Sequence, residues 1–389
     1  MDTVTLTPLR LVAGGDALAR DDDGRVVFVT GALPGETVRV ALRTVKKDFA
    51  KGDVVDVVDA SPDRVVAPCD AFHRGCGGCD WQHIDPAAQL RMKVSIVAEA
   101  LTRIGRLDGP VVVAGGAVQP WGYRTTIRVS ADRTGAVGFR SRRSHDIVAI
   151  DHCPVAHPRV NALLSGLHLS PGSDASLRAS VTSGETTSTA LSTGDSGVGV
   201  IHETVRGERF RVSARSFFQS SPQAAELLVD AVRRALGGVD LSDATLVDAY
   251  GGVGLFAATV GAHASRVVHI ESSASSCADA RVNLAGRAAT IHECAVEAWT
   301  PTAADVVIAD PARTGLDADA ATVLAATGAP VLVLVSCDAA ALGRDTRILR
   351  GLGYEHDGTE VIDVFPHTSH VEAVTLFRLN AAASGNGFQ

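Results

Sequence analysis

The sequence predicts an α/β protein in three parts: a small β-barrel over residues 1–60, a central β-containing segment with clustered cysteines over 61–210, and a parallel sheet flanked by helices over 211–389. Three observations carry this reading. Short β-rich runs separated by turn signals fill the first sixty residues. Three of the seven cysteines lie between Cys69 and Cys79. From Leu246 onward, apolar runs ending in acidic residues alternate with Ala-rich helical segments, the pattern of βα units.

Composition bounds the function classes. A chain of 389 residues, 46% hydrophobic, has room for two or three packed domains. No stretch is apolar and long enough to span a bilayer and no signal peptide is visible, so the expectation is a cytoplasmic protein with no membrane contact. No obligate protein partner is visible, and a monomer is expected. A formal charge of −8 argues against wholesale coating of nucleic acid but leaves room for a local basic groove. All four lysines precede residue 94, so later cationic contacts fall to arginine or histidine.

In the first part, strands are expected at 26–30, 37–42 and 53–58, with Leu33-Pro34-Gly35 as a turn. A basic loop between the last two, with Arg43, Lys46, Lys47 and Lys51 around Phe49, suits a phosphate backbone and a stacked base. A solvated hairpin fits it equally well.

Cys69, Cys76 and Cys79 follow in the pattern C-x6-C-G-G-C. Thiolates crowded on a Gly-flexed loop must share a soft cation, and Cys153, before Pro154, is the candidate fourth ligand. Four thiolates suit an iron–sulfur cluster or a structural zinc. His73 and His83 read as loop residues. A helix is expected over 89–104 with Arg91 and Lys93 on its outer face, then hairpin strands near 123–129 and 136–140. Arg124, Arg128, Arg140, Arg142 and Arg143 make this the densest basic patch, fit for RNA or for solvent. Residues 165–197, rich in Ser, Thr and Gly, read as variable loops and edge structure without chemistry.

The third part opens with a helix from about Pro222 to Leu236. A short strand then ends at Asp248, a turn carries Tyr250, Gly251, Gly252 and Gly254, and a second strand ends in Glu271. Glu271 lies 20 positions after Gly251, where such sheets place the carboxylate that binds ribose hydroxyls. The glycines do not form G-x-G-x-x-G, so a nucleoside without phosphates, such as S-adenosylmethionine, is the expected guest. The next strand ends in Asp310-Pro311-Ala312-Arg313, where Asp310 can hold a reacting base or the methionine end of the cofactor and Arg313 a phosphate. The strand after it delivers Ser336-Cys337-Asp338 to the same edge, beside a helix expected from Ala339. Backbone N–H groups there would stabilise a thiolate, making Cys337 the candidate nucleophile. Cys277 and Cys294 read as structural cysteines.

Several of these stretches resemble known families. Gly15 to Arg20, Arg25 to Val29 and Ala32 to Glu36 look like a TRAM domain, an RNA-binding barrel. The cysteine segment resembles the cluster-binding segment of RNA 5-methyluridine methyltransferases, which favours a 4Fe-4S cluster on Cys69, Cys76, Cys79 and Cys153. Phe217-Phe218-Gln219, Ser336-Cys337-Asp338 and Phe365-Pro366-His367-Thr368-Ser369-His370-Val371-Glu372 resemble that family's motifs. There the Gln contacts cofactor and base, the Cys is the nucleophile, and the Glu removes the C5 proton. The resemblance thus implies Gln219, Cys337 and Glu372 in these roles, and Tyr250, Gly251, Glu271 and Asp310 at the cofactor. Ser221, Gly251, Ala312 and Ala339 depart from the usual Asn, Cys, Pro and Pro.

The implied protein has a Rossmann-like methyltransferase domain, an N-terminal TRAM (OB-like) barrel and a small central iron–sulfur/β domain. It would methylate C5 of a uridine in RNA, with 23S ribosomal RNA expected and transfer RNA as the alternative. An RNA cytosine-5-methyltransferase would typically carry a second cysteine near Asp310-Pro311-Ala312, where there is none, and a non-catalytic RNA-binding protein would be expected to lose Cys337 or Glu372.

Overall fold

The computed structural model describes residues 3–191 and 199–380. The N-terminal barrel sheet has six strands in the order Thr3–Leu6, Thr37–Val45, Phe49–Asp59, Val26–Thr30, Ala17–Arg20, Arg10–Leu11. Alternation turns Val27, Val29, Val38 and Val40 into a fully buried interior. The basic loop expected after residue 42 is shorter than the sequence suggests. Arg43 and Phe49 sit on paired strands, and only the turn between them is free of the ladder. Phe49 packs edge-on against Phe28 with ring centres 6.2 Å apart.

A central antiparallel sheet follows in the order Ile147–Ala149, Val137–Arg140, Thr126–Ala131, Asp174–Ala179, Thr186–Ala190, and a separate hairpin pairs Val200–Val205 with Glu208–Ser213. The stretch expected to be loops and edge structure therefore supplies two strands of this sheet, while residues 192–197 of it lie outside the described residues.

The largest sheet has eight strands: Ala289–Glu293, Arg266–Glu271, Thr245–Ala249, Val306–Ala309, Val331–Ser336, Ala373–Leu379, Tyr354–Asp363, Val112–Ala117. The first five are parallel, and Ala373–Leu379 runs antiparallel between Val331–Ser336 and Tyr354–Asp363. Val306–Ala309 and Val331–Ser336 are buried along their whole length, because helices cover both faces of a parallel sheet. Strand order reverses between Thr245–Ala249 and Val306–Ala309, so ligands are expected beyond the carboxyl ends of these two strands. Together with the barrel sheet, this is the Rossmann-like α/β domain and TRAM barrel that the sequence implies.

Two elements of residues 61–210 join this sheet. Val112–Ala117 is its last strand, parallel to Tyr354–Asp363. Helix Pro86–Arg103, capped by Asp85 through Ala87 N–H at 2.9 Å, packs on helix Ala339–Gly351. They pack tightly at Gly343, where a Cβ would stand 2.7 Å from the Ala100 carbonyl oxygen.

Lys93 corrects the sequence reading. It is expected on the outer face of its helix but is fully buried in line with Gln89, Ile96, Val97 and Ala100. Its Nζ lies 2.7 Å from Asp363 Oδ1 and donates to Phe365 O at 3.0 Å. The partner carboxylate lies 270 residues downstream, so helical periodicity alone puts this charge in solvent.

Candidate active site

The glycine turn is built at the strand-order reversal. Asp248 is fully buried, and its Oδ2 accepts from Ala257 N–H at 3.0 Å and lies 3.3 Å from His269 Nδ1. The chain then turns through Tyr250, Gly252 and Gly254 at φ of 58°, 57° and 91°. Glu271 ties this turn to the next strand: Oε2 accepts from Gly252 N–H at 2.9 Å and Oε1 from Ser273 N–H at 2.6 Å. No atom lies within 4 Å of where a Gly252 Cβ would point, so the turn has open space beside it.

Gly251 has none. A Cβ there would collide with the His269 ring and stand 2.8 Å from Asp248 Oδ2. His269 thus fills the room that a side chain at position 251 needs. Gly251→Ala is expected to lower stability by about 1–3 kcal/mol, read as a lowered Tm, because both neighbours are buried and neither can step aside.

The loops after Val306–Ala309 and Val331–Ser336 bring Asp310, Arg313 and Cys337 together with Glu372. Asp345, fully buried, accepts from Leu316 N–H at 2.8 Å and leaves no room for a side chain at Gly315, which fixes the return of the Asp310–Gly315 loop. Burial pushes the Cys337 thiol up to about 12, with the charges of Glu372 and Asp310 adding to it and Arg313 opposing. Burial also raises Glu372, helped by Asp310, while Lys93 and Arg313 pull it down. Asp310 is raised by burial and by Asp248. Arg313 Nη2 stands 3.2 Å from His370 Nε2, and burial with this guanidinium lowers His370 to about 4, so the imidazole is neutral and accepts from Arg313.

The expectation that a helix N-terminus makes Cys337 a ready thiolate is therefore corrected. Asp338 is the N-cap, and its own carboxylate takes Ala341 N–H at 2.8 Å. Burial and the charges of Glu372 and Asp310 raise the thiol, while its own backbone N–H and Arg313 lower it. In the free protein, alkylation of Cys337 by iodoacetamide should rise about tenfold per pH unit between about 7 and 9, because the thiolate fraction does so well below the thiol pKa. A rate flat in this range would contradict the assigned environment.

Segment 365–372 is held from the cysteine segment and the helix behind it. Asp80 N–H and Trp81 N–H donate to His367 O at 3.1 and 2.9 Å, and Ser369 N–H donates to Asp80 Oδ1 at 2.8 Å. His367, at φ 65°, donates its N–H to Gln89 Oε1 at 2.6 Å and stacks on Trp121 at 3.9 Å. Gln219 is buried, in a segment fixed on both sides. Arg178 donates to Ser216 O at 2.8 Å, and Ser216 Oγ donates to buried Asp279 at 2.6 Å. Ser220 Oγ donates to Val364 O at 2.9 Å, which sets Gln219 beside the Glu372 loop. Ser221 caps helix Pro222–Leu236 through Ala224 N–H at 3.1 Å.

The sequence reading missed Asp80, Gln89, Lys93, Arg178 and Asp279. For Gln89 and Lys93 a signal exists: two polar residues four apart, in register with the apolar stripe of a helix.

Cys69, Cys76, Cys79 and Cys153 line one cavity of about 230 Å³, with Phe72, Ile127, Phe139 and Val155 between them and Thr368 and His370 on the side of the candidate site. Burial pushes the Cys79 thiol up to about 12 and raises Cys76 and Cys153 as well, and each of the three feels the charge of two neighbouring cysteines or, for Cys76, of Cys69. Among the described residues, no three His, Cys, Asp or Glu side chains gather closely enough to hold a single metal ion. The cysteines border a space rather than converge on a point. His73 and His83 do not line it; His73 ends the short helix Asp70–His73 instead of lying in a loop, with Nε2 2.8 Å from Ala67 O, and burial lowers His83 to about 4. Cys277 is buried with its thiol on Glu271 O at 3.2 Å, and Cys294 is half-buried against the core.

Comparison with known proteins places this geometry. The sequence model of the TRAM domain matches residues 3–55. An "uncharacterized RNA methyltransferase" of Streptomyces avermitilis is 36% identical, with 96% of each chain covered, and one of Gloeobacter violaceus is 34% identical over 96% of this chain and 95% of that one. The chain belongs to the TRAM-containing RNA methyltransferase family. The tRNA (uracil-54, C5)-methyltransferase of Pyrococcus abyssi, solved with S-adenosyl-L-homocysteine, shares the fold at a TM-score of 0.72 and 22% identity, covering 96% of this chain and all of that one.

In this RNA methyltransferase the TRAM barrel reaches the candidate active site directly. Gly15 packs so closely on Ser369 that a Cβ would collide with that side chain. Arg143 joins the barrel to the central sheet through Asp53 and Thr30 Oγ1, each at 2.8 Å. Arg142 stacks on Phe72 at 4.2 Å and donates to Cys76 O and Phe72 O at 3.1 and 2.7 Å. Two members of the predicted basic patch are thus structural braces. Arg128 and Arg140 share Asp174 at 3.7 and 3.6 Å, and Arg124 lies over Phe365 at 5.9 Å. No helix among the described residues is long and apolar enough to cross a membrane.

Proposed function

We propose that this methyltransferase transfers the methyl group of S-adenosylmethionine to C5 of a uridine in RNA, through a covalent bond between Cys337 and C6 of the base. The observation that carries this reading is the meeting of a half-buried thiol, Cys337, with a buried carboxyl, Glu372, at the carboxyl end of the sheet, beside the glycine turn. The residues present suit the cofactor: Glu271 for the ribose, open space at Gly252, and Asp310 beside the turn, its N–H donating to Ala249 O at 3.2 Å. Bound S-adenosylmethionine supplies an electrophilic methyl group on sulfur.

Uracil C5 is a weak nucleophile, which explains the thiol. Cys337 gives its thiol proton to solvent and the thiolate Sγ adds to C6, so that the C5–C6 π pair becomes an enolate with carbanion character at C5. Asp310 and Gln219 orient the ring while C5 takes the methyl group. Glu372 then removes the C5 proton, that electron pair restores the C5–C6 double bond, and the C6–S bond breaks to release Cys337 as thiolate. Arg313, held by His370, is placed to carry a phosphate of the RNA. A base must leave its stack to reach a thiol at this depth, which favours a loop or a weakened helix as target.

Ribosomal RNA of the 23S class is the favoured substrate, on the resemblance to TRAM-bearing, cluster-bearing enzymes. Transfer RNA is the second reading, favoured by the fold shared with the Pyrococcus enzyme named for tRNA uracil. Incubation with S-adenosylmethionine and each unmodified RNA pool, followed by digestion to nucleosides, is expected to give 5-methyluridine in one pool. Formation of 5-methylcytidine, or of no methylated base in either pool, would contradict the reading.

The four cysteines are proposed to hold a 4Fe-4S cluster. Support comes from the resemblance of the cysteine segment and from four thiols around one largely apolar cavity, where burial disfavours thiolates unless a cationic group compensates them. Anaerobically purified protein is expected to contain about four iron and four sulfide per chain. Cys79→Ser should lose them, and a single equivalent of zinc instead would overturn the assignment.

A further inference from the structure

Helix Pro86–Arg103 carries two buried polar side chains one turn apart, and both hold the segment that bears Glu372. Gln89 accepts His367 N–H at 2.6 Å and donates to Trp81 O and Ile84 O at 3.3 and 3.0 Å. Lys93 Nζ binds Asp363 Oδ1 at 2.7 Å and Phe365 O at 3.0 Å, and the same Asp363 oxygen accepts Phe365 N–H at 3.1 Å. Ile362, the residue before Asp363, donates its N–H to Glu372 O at 2.8 Å. The Lys93–Asp363 pair therefore sits at the closure of the loop whose far end is Glu372. The other lysines, Lys46, Lys47 and Lys51, lie on the barrel, so Lys93 is the one ammonium available to this region.

We propose that Lys93 is a positioning residue for the general base: through Asp363 and Phe365 O it pins the closure of the loop that ends in Glu372, and it is the sealed ammonium nearest that closure. The inference rests on the role of Glu372 proposed above.

The surrounding groups show why this charge matters. Glu372 shares its environment with Asp310 and Cys337 from the neighbouring strand ends, and through Lys93 it lies near Asp80 of the cysteine segment and Asp363 at the end of the paired strand Tyr354–Asp363. His367 and His370 are both held neutral by burial. Against several carboxyls stand two cations, Lys93 and Arg313, and both lower the proton affinity of Glu372. Arg313 lies on a half-open loop bonded to His370, where solvent and RNA phosphate compete for it. Lys93 is sealed: burial lowers its own proton affinity while Asp363, Asp80 and Glu372 oppose that, so its charge depends on these carboxylates.

Loss of that charge would hold the proton on Glu372 and slow the removal of the C5 proton after methyl transfer, so that RNA stays bound to Cys337. The test compares wild type, Glu372→Gln, Lys93→Met, Lys93→Gln and Asp363→Asn with S-adenosylmethionine and the RNA that is methylated. It reads both 5-methyluridine release and the fraction of protein covalently joined to RNA, from about pH 6 to 9. Lys93→Gln keeps a hydrogen-bond donor for Asp363 and Phe365 O while removing the charge. Both Lys93 variants are expected to accumulate adduct several-fold over wild type at neutral pH and to shift the acidic limb of release upward by about one pH unit. Asp363→Asn should shift it the other way.

Slower release in the Lys93 variants with no adduct and an unshifted profile would overturn the proposal, as would failure of both to fold, since Lys93 would then serve stability alone. If Glu372→Gln traps no adduct either, the role of Glu372 itself fails, and that outcome is distinct.

Discussion

Cys337→Ala is expected to abolish methyl transfer, by about 10⁴-fold or more, because uracil C5 cannot attack a methyl sulfonium until a nucleophile has added at C6. Cys337→Ser should fare little better. A serine hydroxyl has a far higher pKa, and the two carboxyls that raise the thiol would oppose an alkoxide more strongly. Binding of S-adenosyl-L-homocysteine should stay within a few-fold of wild type in both variants, since Glu271 and the glycine turn are untouched. The measurement is methyl transfer from labelled S-adenosylmethionine alongside equilibrium binding of the homocysteine product. Residual activity within about 10² of wild type would point to a direct, non-covalent transfer.

Glu372→Gln is expected to separate the two halves of the reaction. The amide nearly matches the carboxyl in size, and it also removes one of the charges that raise Cys337, so addition at C6 and methyl transfer should survive. Proton removal from C5 should not, and multiple turnover is expected to fall by about 10²–10⁴. One equivalent of S-adenosyl-L-homocysteine per enzyme should form in a burst before the reaction stops. A uniform loss of rate without a burst would place Glu372 elsewhere in the mechanism.

The sequence announces the parallel sheet because its strands are short apolar runs with an acidic residue or a cysteine at the end. Val331–Ser336 is buried throughout, and the position of Cys337 follows from where that run stops. Helix starts are legible where capping chemistry is present, as at Ser221 and Asp338. Strand Val112–Ala117 is not, since two glycines argue against a strand. Their reason is tertiary: a Cβ at Gly115 would collide with Glu360 and one at Gly116 with Leu227.

The partnerships of the site are harder to read. Lys93 finds Asp363 across 270 residues, and no local pattern encodes that distance. The proton affinity of Cys337 is hidden for the same reason. Its helix N-terminus is local and predictable, whereas burial and the charges of Glu372 and Asp310, which prevail, come from packing. Motifs show which chemical groups meet, and the fold determines their charge.

The central claim is a covalent bond between Cys337 and the target base, and peptide mapping of the Glu372→Gln protein by mass spectrometry tests it most directly. After incubation with S-adenosylmethionine and substrate RNA, then nuclease and protease digestion, the peptide containing Cys337 is expected to carry a methylated uridine fragment. An unmodified Cys337 peptide, or the fragment on another residue, would contradict the account.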